Sequence, residues 1–209
     1  MGASVRRVWA AGAVALALAA GTAGCTGGDS DGGGVKAKRA AACTDGTYTW
    51  SGVRHWQKLT ALGKPATFAN RTDSYETDFK AVDAKVYRPT VTGTPTGVRP
   101  ARVIKALGTH LKVEEPLADP TEVERPEETA FESHTGDLKG SYYAWEYLGF
   151  VDADFAYTCQ GADLVRGHVH TWETVGSGFM PCTDPADGTA GRAAAGRLCP
   201  PGTRAYEAA

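Results

Sequence analysis

The chain has 209 residues, 22 basic against 24 acidic, and a net charge of −2 with histidine neutral. Beyond residue 24 the balance is more acidic, about −4, and no basic stripe interrupts it. A mildly acidic chain of this kind is a poor nucleic-acid binder, and its length is one domain's worth.

The first 24 residues carry only Arg6 and Arg7 as charges, followed by an uncharged, Ala-rich run from Val8 to Gly24. That is the layout of a secretory signal: a basic start, then a short apolar segment. The run is too short and too diluted with Ala and Gly for a membrane span, which needs about 20 strongly apolar residues. It ends in Thr22-Ala23-Gly24-Cys25. These residues resemble a lipobox, with Thr22 in place of the commoner Leu. The resemblance implies diacylglyceryl transfer to the Cys25 thiol and cleavage before it. Arg6-Arg7 only loosely fits a twin-arginine signal, because Ser4 is displaced by one position and Ala10 stands where an apolar residue is expected.

Residues 25–42 hold a Gly/Asp/Ser run, then Lys36, Lys38 and Arg39. They bury too little apolar surface to offset the entropy of ordering, which predicts a flexible tether. Over residues 1–42 the chain resembles small exported lipoproteins of high-GC bacteria. The resemblance implies a domain anchored by lipid on the extracytoplasmic face of the cell membrane, facing an envelope or surface partner.

Four further cysteines, Cys43, Cys159, Cys182 and Cys199, are even in number and form no Cys-x-x-Cys pair. In an exported chain that predicts two disulfides. Of three connectivities, Cys43–Cys159 with Cys182–Cys199 is preferred: the first ties an edge to the interior, the second closes a short loop.

Period-two alternation marks residues 151–159, where Val, Ala, Phe, Tyr and Cys alternate with mostly polar residues. Residues 164–175 and 141–148 read as further strands, with Gly149 a bulge or turn, and 47–53 and 75–87 as weaker ones. Residues 101–113 fit neither helix nor strand period decisively. Residues 114–128 hold seven acidic residues and three prolines and read as an exposed loop without the ligand spacing of a calcium site. The expected fold is mainly β: a single antiparallel sheet, residues 43–182, closing toward a barrel or sandwich, with an irregular disulfide-bearing tail at 183–209.

One constellation stands out. Keeping the apolar residues of 151–159 and 164–175 on one face pairs Tyr157 with Val165, Phe155 with Gly167, Ala153 with Val169 and Val151 with Thr171. The opposite face then sets Asp154 across from His168 and Asp152 across from His170. A two-residue slip would set Asp154 against Arg166 and Asp152 against His168. Imidazoles at i and i+2 beside two carboxylates suit a divalent metal such as zinc, or acid–base work. Cross-strand charge pairing on a solvated face is the preferred reading, since such neighbours are common and metal sites rare, and imidazoles there would make the surface pH-sensitive. Tyr48, Trp50 and Trp56 suit core packing or an aromatic platform; Tyr143 and Trp145 suit the core. His55, His110 and His134 are scattered singly. No Gly-x-Ser-x-Gly, His-Glu-x-x-His, Ser-x-x-Lys or phosphate-binding loop occurs. The leading expectation is a non-catalytic binding or interaction module without a cofactor; the alternative is a metal-binding protein or hydrolase using His168, His170, Asp152 and Asp154.

Overall fold

The computed structural model describes residues 43–126, 129–160 and 163–209. The expected signal, Cys25 and the expected tether therefore lie outside the described residues, as do Gly161 and Ala162. The elements in chain order are β1 (Thr47–Leu62), β2 (Ala66–Ala81), β3 (Thr90–Thr92), α1 (Pro100–Leu111), β4 (Thr129–Thr158), β5 (Val165–Pro181), α2 (Gly188–Leu198) and α3 (Arg204–Glu207). The strands form one antiparallel sheet that is not closed, in the order β1-β2-β4-β5-β3, with β1 also paired to β4. This is the mainly β, sandwich-like domain that the alternation predicts.

The 30-residue β4 organises the sheet. Its first half pairs with β2, and its second half lies between β1 and β5. The two strands expected at 141–148 and 151–159 are thus parts of one. Gly149 marks a register shift rather than a turn, because β5 inserts one extra residue, Glu173, between Trp172 and Thr174. The ribbon of β2 and the first half of β4 coils back, so that Lys80 and Ala81 pair with Leu62 and Ala61. Inside the coil Phe68, Tyr75, Phe79, Phe131, Tyr142 and Phe179 pack together around Leu138.

One face of the second half of β4 presents Val151, Ala153, Phe155 and Tyr157. Against them α1 lays Val103, Ile104 and Leu107, all at most 2% exposed. The segment at 101–113 is helical because Pro100 supplies a fixed φ at the first turn and its buried residues recur at helical spacing. Lys112 closes it in the left-handed conformation. Further along the same face, Tyr143 and Trp145 pack against α2.

The tail expected to be irregular is instead mostly helical and part of the core. Ala190, Gly191, Ala194 and Ala195 recur at helical spacing and form the buried stripe of α2. Their small size is what lets the helix backbone approach Trp145: a Cβ on Gly191 would sit 3.0 Å from the indole. Disulfides join Cys43 to Cys159 and Cys182 to Cys199, the preferred connectivity. The first ties the chain ahead of β1 to the end of β4, and the second ties the end of β5 to the end of α2.

Gly167 gives a test of how β3 is seated. A Cβ there would run into the Phe155 ring and the backbone carbonyl oxygen of Thr92. Gly167→Ala is expected to cost about 1–3 kcal/mol through overpacking. Gly149→Ala, whose Cβ would make ordinary contact 3.5 Å from Thr174 Cβ, is expected to cost less. Thermal denaturation of the two variants makes the comparison.

Candidate functional site

Directly opposed residues of antiparallel strands share a face, so the pairings define cross-strand rows. The observed register sets Tyr157 opposite Val165, Phe155 opposite Gly167, Ala153 opposite Val169 and Val151 opposite Thr171. On the opposite face Asp154 stands across from His168, and Asp152 across from His170. The slipped alternative is not adopted. Extending the rows through β3 and β1 gives Thr92–His168–Asp154–Ser51 and Thr90–His170–Asp152–Arg54. A third row, Trp56–Phe150–Trp172, borders them with aromatic rings.

The bulge at Ser51–Arg54 decides which β1 side chains join this face. Gly52, at φ +61°, adopts the left-handed conformation that a side chain disfavours. One extra residue on β1 reverses the alternation beyond it. Tyr48 and Trp50 therefore pack with Phe155 on the α1 side, whereas Arg54 and Trp56 reach the Asp/His side. The three aromatics do not form one platform.

Asp152 is the centre of the set. Its side chain is only 9% exposed, against 63% for Asp154. Oδ2 accepts a hydrogen bond from Trp56 Nε1 at 2.6 Å, and the Arg54 guanidinium lies 3.7 Å away. Oδ1 lies 2.8 Å from His170 Nδ1 and 3.4 Å from His168 Nε2. His168 Nδ1 is in turn 2.8 Å from Asp154 Oδ1. Phe150 fixes the His170 plane by stacking at 4.6 Å, and Trp56 stacks on Phe150 at 4.7 Å.

Burial alone would push the Asp152 carboxyl up. The hydrogen bonds from His170 and Trp56, the charge of His170 and the contact with His168 outweigh it and hold the carboxyl below the usual carboxylate range.

The four residues singled out in the sequence are thus brought together. The sequence reading missed Trp56 and Arg54 as members, because the Gly52 bulge that turns them to this face is not visible in alternation. The remaining histidines lie apart: His55 pairs with Glu173 at 3.1 Å, His134 with Glu132 at 2.8 Å, and His110 stacks near Trp50. Part of the acidic loop is not exposed: Leu117 and Ala118 are buried, and Ala118 hydrogen-bonds Trp172 and Thr171 beside β5.

Among the described residues, one trio of candidate metal ligands has atoms within 4.8 Å of one another: Cys43, Asp45 and Cys159. Its two sulfurs are joined in a disulfide and are not thiolate ligands. Comparison with known proteins finds no matching family model, no matching curated protein and no matching solved structure.

The lowered Asp152 carboxyl predicts a pH signature. A depressed folded pKa contributes stability that is complete above the unfolded value, about 3.9, and is lost as pH falls through the folded value. Asp152→Asn is expected to lose roughly 1–3 kcal/mol at pH 7, because a buried charged acceptor is removed from its donors. It is also expected to flatten the acid limb below about pH 4. Urea denaturation at a series of pH values measures both.

Proposed function

We propose that the chain is an exported domain, anchored through lipidated Cys25 on the extracytoplasmic face of the membrane, that acts by binding a surface or envelope partner rather than by catalysis. The cysteine pairing is the observation that carries the anchor. Cys43, Cys159, Cys182 and Cys199 pair with one another, so Cys25 has no cysteine of this chain left to bond. Two disulfides also suit an oxidising compartment outside the cytoplasm. No helix among the described residues is long and apolar enough to cross a membrane. A lipid on Cys25 supplies the attachment in this reading, and the Gly-rich stretch before Cys43 gives the domain reach.

The binding reading is supported by the open face of the sheet. Arg54, Trp56, Asp154 and His168 present charge, an indole ring and hydrogen-bonding edges side by side, with the indole held by Asp152 and the His168 ring held by Asp154. The acidic balance of the chain argues against nucleic acid as the partner.

Metabolic labelling with a fatty-acid probe tests the anchor. The parent chain is expected to incorporate label and fractionate with membranes. Cys25→Ala is expected to lose the label while keeping the melting temperature of the folded domain. Label retained by Cys25→Ala, or a variant that no longer folds, contradicts the assignment.

A further inference from the structure

We propose that Asp152 and His168 form an open, two-ligand site for a divalent transition metal of the zinc class, with Asp154, His170 and Trp56 supporting the ligands. The proposal is independent of the lipid anchor and adds a ligand to the sheet face described above.

The argument starts with the His168 tautomer. Asp154 Oδ1, 2.8 Å from Nδ1, accepts that nitrogen's proton. In the neutral ring Nε2 then carries the lone pair. Nε2 lies 3.4 Å from Asp152 Oδ1, longer than a well-formed N–H···O hydrogen bond. A lone pair this close to a carboxylate oxygen is repulsive unless a cation lies between them. A proton on Nε2 is one such cation and a metal ion is the other.

Distance favours the metal. Zinc binds imidazole nitrogen at about 2.0–2.1 Å and carboxylate oxygen at about 2.0–2.2 Å, so two such ligands at the tetrahedral angle stand about 3.4 Å apart. Metal-ligating histidines commonly donate their other ring N–H to a carboxylate, and ligating carboxylates are themselves hydrogen-bonded. Both features are in place here: Asp154 holds His168 at Nδ1, while His170 Nδ1 and Trp56 Nε1 hold the two oxygens of Asp152. Arg54 bears on Oδ2, the oxygen away from His168, so its charge is directed at the other side of the carboxylate. With His168 40% exposed, water or a donor from a bound partner completes the coordination.

Calorimetric titration of zinc chloride into the full chain, purified in detergent without a polyhistidine tag at pH 7.5, tests the proposal. One zinc is expected to bind per chain. His168→Gln is expected to weaken binding at least tenfold. Asp154→Asn, which leaves both ligands intact, is expected to weaken it about 10-fold, the lower end of the usual effect of removing an outer partner. Both residues are substantially exposed, and circular dichroism of each variant checks that it is folded. His134→Ala, which changes a histidine outside the cluster, is expected to bind as the parent does. Absence of zinc binding by the parent chain, or binding unchanged in His168→Gln, overturns the proposal.

Discussion

The pairing of β4 with β5 in a single register is the constraint on which the rest of this domain depends. Its cause is apolar. Val151, Ala153, Phe155, Tyr157 and Val169 are each 2% exposed or less and lie on one face, beneath α1. Displacing the pairing by one residue would turn that set outward and bring Asp152, Asp154, His168 and His170 into the core. Displacing it by two would keep the faces but separate each carboxylate from its present imidazole. The face that packs beneath α1 therefore also sets the chemistry of the opposite face.

Single inserted residues then distribute side chains between the faces. The bulge at Gly52 sends Tyr48 and Trp50 to the α1 side and Trp56 to the Asp152 side. The bulge at Glu173 acts similarly on β5, leaving Trp172 packed with Phe150 while Thr174 pairs with Gly149. Trp56 completes the environment of Asp152, because its indole N–H takes up the oxygen that the histidines do not use. A carboxylate this buried remains charged only where such donors replace the water it has lost.

Much of this was legible in the sequence for a physical reason. Residues 151–159 alternate cleanly, so the gathering of Asp152, Asp154, His168 and His170 on one face followed from pattern alone, whereas the choice between the direct register and the one displaced by two is made only by the structure. The preferred disulfide connectivity is also the one formed. Other parts carry weaker signals. Residues 129–140 are largely polar and include Gly136 and Gly140 at positive φ, so their own pattern does not announce a strand. They are extended because β2 pairs with them and the coiled ribbon buries Leu138 and half-buries Phe131. The α2 segment reads as irregular because its buried stripe is Ala and Gly, which hydropathy hardly registers, although the spacing at 190, 191, 194 and 195 matches that at 103, 104, 107 and 108 in α1. The membership of Trp56 depends on a bulge, which breaks the alternation on which strand reading relies.

Cross-strand nuclear Overhauser contacts between backbone protons of β4 and β5 test the register most directly. The account predicts contacts linking residue 154 to residue 168 and residue 152 to residue 170. Contacts linking 154 to 166 and 152 to 168 would contradict it, and with it the Asp152-centred arrangement of the face.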